Sequence, residues 1–198
     1  MATETLRPNA DTQVQCYGSD GDQYANYQLV DESSANDADY VQAHAYTVPS
    51  GASITLTDLY GLPDSAIPAG SVISNVTLYG RFRRSHTAGG SCGFAYKIGS
   101  TTYYSSVGST TSNALYSLGL NTNPATGVAW TISDIDGLQI GCRLGAAYYA
   151  GDKSTPTYDY QSFCSQLYIV VTYTPAALSS FIPGIMQHNF IPSFIGGR

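Results

Sequence analysis

The sequence predicts an all-β protein: a jelly-roll-like β-sandwich of about 8–10 strands with an extended C-terminal tail. Three observations carry this. Helix formers are scarce, with Glu only at Glu4 and Glu32 and Lys only at Lys97 and Lys153, whereas Tyr (17) and Gly (20) abound. Aromatic and β-branched residues suit a pleated, half-buried surface; Glu and Lys suit a helix. Apolar and polar residues alternate with a period of two in segment after segment, the pattern of strands with one buried face. Only Ser133-Asp-Ile-Asp-Gly137 reads as helical, a single turn with Ser133 as its N-cap.

Residues 1–40 are polar and acidic, with Asp20, Asp22, Asp31, Glu32, Asp37 and Asp39 set among Gly, Ser and Asn, and read as a short strand followed by long loops. From Val72 to Arg84, Val76, Leu78, Gly80 and Phe82 share one face, and Asn75, Thr77, Tyr79, Arg81 and Arg83 the other. Cys92, Phe94, Tyr96 and Ile98 alternate with Gly93, Ala95 and Lys97, and Gly99-Ser100 ahead of Thr101-Thr-Tyr-Tyr104 is a hairpin signal. Leu138, Ile140, Cys142 and Leu144 repeat the alternation. Leu167, Ile169, Val171 and Tyr173 form the last strong strand, which Pro175 ends. The chain therefore divides into a sandwich domain, residues 1–175, and a tail, residues 176–198.

Charge and cysteine usage narrow the function. Only 11% of residues are charged, the net charge is −6 and the pI about 4.7. An anionic chain lacks the means to neutralise phosphates, so no nucleic-acid partner is expected. No run of some 18 apolar residues marks a membrane span, and Met1-Ala-Thr-Glu-Thr-Leu-Arg7 lacks the basic and apolar regions of a signal peptide. Cys16, Cys92, Cys142 and Cys164 lie far apart with no C-x-x-C spacing, which speaks against zinc or a redox motif. They are disulfide candidates with three connectivities open, or else buried free thiols. The low charge and hydroxyl-rich composition fit an extracellular or virion surface.

Residues from Thr122 to Leu144 carry a further pattern: Asn123-Pro-Ala-Thr-Gly127, then Trp130-Thr131, then Asp134-Ile-Asp136-Gly-Leu-Gln139-Ile-Gly141. This resembles a family of β-sandwich proteins encoded among tailed-phage structural genes and in environmental microbial sequences. Leu29-Val-Asp-Glu32, the stretch from Ile73 through Tyr104, and Gln166-Leu-Tyr-Ile-Val-Val-Thr-Tyr173 are also similar, so the resemblance covers about residues 5–174. It implies a fold and a virion or extracellular setting, and no chemistry. The cysteines and the tail depart from the family pattern and would adapt this chain to exposed, polymeric use, as the subunit of an extracellular fibril.

Chemistry-bearing motifs are scarce. No G-x-S-x-G, H-E-x-x-H, Walker loop or dinucleotide fingerprint occurs, and His44, His86 and His188 sit in three separate contexts. No catalytic residue, metal ligand or cofactor is expected, and the protein is read as a non-enzyme. Asp134 and Asp136 read as capping rather than as a glycosidase pair. Asp20-Gly-Asp22 and Asp31-Glu32 offer oxygen ligands for calcium but lack the spacing of a known loop. Tyr103, Tyr104, Tyr148 and Tyr149 are candidate glycan-stacking residues, with at most one of each adjacent pair on a given face. Arg81 and Arg83 would meet an acidic loop of a neighbouring subunit or face solvent. Asn75-Val-Thr77 is the sole N-glycosylation sequon, with Asn75 outward.

The tail carries the functional reading. Phe181-Ile-Pro-Gly-Ile-Met186 and Phe190-Ile-Pro-Ser-Phe-Ile195 form a repeat nine residues apart, and their prolines favour extended backbone. Phe181, Ile182, Ile185, Met186, Phe190, Ile191, Phe194 and Ile195 put eight large apolar side chains into fifteen residues, an aggregation hazard if left in water. Extended, twenty residues reach about 65 Å. The expected function is a structural subunit that self-assembles into a filament or surface assembly, this tail docking on a neighbouring copy by strand addition. Two alternatives are a virion decoration or fibre protein docking on another virion protein, and a module that binds surface glycans.

Overall fold

The computed structural model describes residues 1–44, 49–87, 89–151 and 157–177. Twelve strands form two six-stranded sheets, joined by one 3-10 turn (Asn26–Leu29) and one short helix, α1 (Ile132–Asp136). In chain order the strands are β1 (Ala2–Leu6), β2 (Ala10–Gln13), β3 (Tyr17–Gly18), β4 (Val41–Ala43), β5 (Ser53–Gly61) and β6 (Val72–Arg84). They continue as β7 (Ser91–Ile98), β8 (Thr101–Val107), β9 (Ala114–Leu120), β10 (Gln139–Tyr149), β11 (Tyr158–Tyr160) and β12 (Ser162–Thr174).

Sheet A runs β3-β4-β12-β6-β9 and sheet B runs β2-β5-β10-β7-β8, with β1 pairing β12 and β11 pairing β10. All pairings are antiparallel. Four successive strands of each sheet, β4-β12-β6-β9 and β5-β10-β7-β8, follow the order that two interlocked Greek keys produce. The predicted all-β jelly-roll sandwich is therefore present. It has more strands than expected because β3, β4 and β11 are only two or three residues long, too short for alternation to register.

The core lies between the sheets. Val76, Leu78, Phe82, Leu167, Ile169 and Val171 of sheet A face Phe94, Tyr96, Ile140, Cys142 and Leu144 of sheet B, all buried. Phe82 and Phe94 meet edge to face, 5.3 Å between centroids at 84°. Gly80 makes room for them: a Cβ there would lie 2.4 Å from the Phe82 ring and 2.8 Å from that of Phe94. The β7–β8 hairpin turns on Gly99 at φ 58°, the left-handed position of a glycine-first two-residue turn.

Two bulges keep long strands in phase. Between Cys164 and Gln166 an extra residue, Ser165, lets both Cys164 and Leu167 face the core although they are three apart. A second irregularity, between Thr172 and Tyr173, does the same for Ile73 and Val76 on β6.

One buried carboxylate fixes the start of the chain to sheet B. Asp58, fully buried on β5, accepts from the backbone N–H of Gln15 (2.7 Å) and Cys16 (2.8 Å), from Asn26 Nδ2 (2.8 Å) and from Tyr60 OH (2.9 Å). Asp11 adds a cap, accepting from the backbone N–H of Asn26 and Tyr27 at 3.2 and 2.9 Å. Burying a charge is tolerable only with such saturation.

Candidate functional site

Three surfaces compete for a function, and the sequence treats each differently. The outer face of sheet A is covered by the chain itself. Val30 O accepts from Leu167 N at 2.7 Å, and Gln166 Nε2 donates to Glu32 O at 2.8 Å, which lays residues 30–40 across β12. Arg81 holds Asp37 in a two-point pair, Nε to Oδ1 at 2.6 Å and Nη2 to Oδ2 at 2.7 Å, and Ser165 Oγ donates to Oδ1 at 3.2 Å. Arg81 holds the Asp37 carboxyl down from its ordinary 3.8 to about 2. The Arg83 guanidinium lies 3.6 Å from the centre of the Phe163 ring, which meets Tyr40 edge on at 5.2 Å. Arg7 sits 4.7 Å over Tyr168, itself stacked on Tyr79 at 4.9 Å. The expected acidic partner of Arg81 is real, but it belongs to the same chain: the loop that reaches the sheet is only a few residues upstream of β4, so closing it costs little entropy.

The second surface is the free edge of sheet A. Strand β9 pairs with β6 on one side and with no described strand on the other. Its sequence, Ala-Leu-Tyr-Ser-Leu-Gly-Leu, has no charge and no proline, the devices that blunt an edge. Leu115 is 49% exposed on its outer side, and Tyr116, Leu118 and Leu120 are half-buried against the core. Sequence reading had not singled out this strand.

The third surface is the outer face of sheet B. Gly93, Ala95, Gly141, Gly145 and Ala147 take the outward register of β7 and β10; all but Ala147 are nonetheless buried, Ala95 completely. Two adjoining hollows of about 110 and 210 Å³ lie along this face and share Thr55 and Ser91. At one end stands Tyr104, 51% exposed, with the Arg143 guanidinium 4.6 Å over its ring.

The predicted tyrosines divide as alternation requires. Tyr103 turns inward and stacks on Tyr96 at 5.4 Å, and Tyr148 packs against the core. Tyr104 and Tyr149 face outward. Asn75 and Thr77 do share the outward face, half-buried and joined by a 2.6 Å hydrogen bond from Asn75 Nδ2 to Thr77 Oγ1. The docking-tail residues Phe181 to Ile195, and His188, lie outside the described residues. His44 packs beside Tyr17 and His86 beside Tyr160.

The expected disulfides are absent. Cys16, Cys92, Cys142 and Cys164 are all free and buried. Burial pushes the Cys16 and Cys164 thiols well up, so they sit in the core as protonated, small apolar groups beside Cys142. Spacing along the chain had no means of telling a buried thiol from a bonded one.

The helical turn also differs from expectation. Its N-cap is Thr131, not Ser133: Thr131 Oγ1 accepts from Asp134 N at 3.1 Å while Asp134 Oδ2 accepts from Thr131 N at 2.8 Å, a capping box. Burial draws the Asp134 carboxyl up, but the hydrogen bonds from Thr131 outweigh it and hold the group below its usual range. Asp136 accepts from Ser65 N at 2.9 Å. The rest of the Asn123–Gly141 pattern is structural too. Asn123 Oδ1 accepts from Ala125 N at 2.8 Å, Gly127 takes φ 73°, and Trp130 is buried with its Nε1 donating to Leu120 O at 2.9 Å. Asp20 accepts from Asp22 N within its own turn at 3.0 Å. Among the described residues no three His, Cys, Asp or Glu side chains gather as a metal cluster, and no helix is long and apolar enough to cross a membrane.

No family model matches the chain, and no curated protein matches it. Among solved structures it is similar to a chain of "Structure of infectious bursal disease virus Gt strain", with 14% identity over 84% of this chain and 39% of that one, at a TM-score of 0.26. This chain thus spans well under half of that protein's length, and a likeness of that size carries no argument about function. The resemblance to tailed-phage structural proteins stands on its motif residues alone.

Proposed function

We propose that this protein is a non-enzymatic structural subunit that assembles with copies of itself, residues 176–198 of one copy adding as a strand to β9 of the next. The observation that supports this reading is β9: an apolar edge strand with neither charge nor proline, in a chain whose C-terminal sequence is rich in Phe and Ile and interrupted by prolines. Strand addition satisfies the free backbone groups of such an edge and covers Leu115, Tyr116 and Leu118. A tail-to-edge contact is heterologous, so it propagates into a filament unless rotation closes it into a ring. The exposed surface of a virion or an extracellular fibril is the setting such an assembly serves.

The test compares the full chain, a version stopped after Pro175, and a Leu115→Lys/Ser117→Lys variant by negative-stain electron microscopy. Filaments are expected from the full chain and single particles from the other two. Mixing those two is expected to give one-to-one complexes, because one retains the edge and the other the tail. Single particles from the full chain overturn self-assembly and favour a tail folded on its own β9 or a foreign partner. Filaments from the truncated chain take the tail out of the joint.

A further inference from the structure

The outer face of sheet B carries a second, separate feature that assembly through β9 leaves unused. We propose that the trough between Tyr104 and Ala147 binds an acidic saccharide, a sugar ring bearing a carboxylate. The larger hollow, about 210 Å³, holds the liquid volume of about seven waters, the bulk of one sugar ring. Gly93 keeps the smaller hollow open: a Cβ there would lie 2.4 Å from the backbone carbonyl oxygen of Ser105, so it accepts no side chain without the sheet shifting, whereas one at Gly145, beside the larger hollow, would first meet the rotatable Ser91 Oγ at 2.3 Å.

The lining is that of a saccharide site rather than an apolar one. Ser53, Thr55, Ser91 and Ser106 present exposed hydroxyls that both donate and accept. Tyr104, with the Arg143 guanidinium 4.6 Å from its ring centre, supplies an exposed aromatic surface at one end, the kind against which the C–H face of a sugar packs. Arg143 supplies the charge selectivity. It is exposed, and among the described residues no acidic side chain comes within salt-bridge distance of it, whereas Arg81 is paired with Asp37. An unpaired guanidinium held in place by an aromatic ring is preorganised for a bidentate carboxylate. Arg143 is the charged group among the residues lining the two hollows, and so the feature that distinguishes an acid from a neutral sugar.

The experiment titrates the full chain with trigalacturonate and with sialyllactose, with lactose and inorganic phosphate as controls. It is read by amide chemical shifts of 15N-labelled protein, using the Leu115→Lys/Ser117→Lys background if the full chain assembles. At least one acidic sugar is expected to shift Thr55, Ser91, Gly93 and Ser106, with lactose and phosphate weaker by about tenfold or more and the affinity falling as salt rises. Arg143→Ala and Tyr104→Ala, both exposed positions, are expected to keep the melting temperature and weaken binding by about tenfold or more. Absence of shifts at millimolar acidic sugar overturns the proposal, as do equal binding of lactose or phosphate and undiminished binding by Arg143→Ala.

Discussion

The two outer faces of this sandwich began from the same problem and solved it in opposite ways. Sheet A has large side chains on its outer face, Tyr79, Phe163 and Tyr168, and covers them with its own residues 30–40, clamped by Arg7, Arg81 and Arg83. Sheet B has glycine and alanine at the equivalent positions of β7 and β10, buried without any large side chain of their own. A face that exposes aromatics must be covered to remain soluble, whereas a face of small residues needs no cover and is free to accept something else. The arginines make the same point: Arg7, Arg81 and Arg83 beside sheet A are engaged with the chain's own acids, carbonyls and rings, whereas Arg143 on sheet B lies over Tyr104.

The sharpest way to break the covered side is to cut its root. Asp58→Ala leaves two backbone amides, one proton of the Asn26 amide and the Tyr60 hydroxyl unpaired in the core, and is expected to cost about 3–5 kcal/mol, measured by urea denaturation. Phe163→Ala, which removes the ring under Arg83 and beside Tyr40, is expected to cost about 3 kcal/mol by the same measurement. The Arg81–Asp37 pair is smaller and depends on pH. Asp37 is depressed to about 2 when folded, so its contribution is full above the ordinary carboxylate range and is lost as pH falls from about 4 through 2. Both side chains are partly exposed, so solvent screening limits it to about 1 kcal/mol or less. The drop in stability between pH 5 and pH 2 is expected to be smaller by that amount in Asp37→Asn than in the native chain. Last, Tyr104→Ala and Arg143→Ala on the outer face of sheet B are expected to change stability by no more than about 0.5 kcal/mol. A larger loss would mean that the pair braces sheet B, and the contrast between the faces would fail.

What was legible in the sequence follows from how far each signal reaches. β6, β7, β10 and β12 were visible because alternation over seven or more residues is a local signal. The extension of β12 back to Ser162 was hidden by the bulge at Ser165, which breaks the period that makes a strand readable. Asp58 was invisible as an anchor because an acid within an alternating strand looks like a solvent-facing residue until its four donors arrive from elsewhere in the chain or from Tyr60. Thr131 and Ser133 each stand three residues ahead of an Asp, and only the reciprocal hydrogen bonds with Asp134 make Thr131 the N-cap. The split of the Tyr103-Tyr104 and Tyr148-Tyr149 pairs was readable, since pleating forces it; the arrival of Arg143 over Tyr104 depends on β10 and β8 both flanking β7, which no local pattern encodes.

The position of β12 bears on how the chain folds as it is made. It is the last described strand in the sequence, yet it lies in the interior of sheet A, bonded to β6 along one side and to both β1 and β4 along the other. Sheet B has β5, β10, β7 and β8 once Tyr149 has emerged. Sheet A at that moment is two fragments with a strand-wide gap between them, β1 and the β3–β4 pair on one side and the β6–β9 pair on the other. Leu6, Val41 and Val76 must then wait, exposed, for a segment synthesised more than eighty residues after the latest of them. Long-range pairing of this kind is slow and open to wrong partners. A ribosome stalled before Ser162 is therefore expected to display a half-built sandwich whose open centre accepts a free β12 peptide supplied in solution.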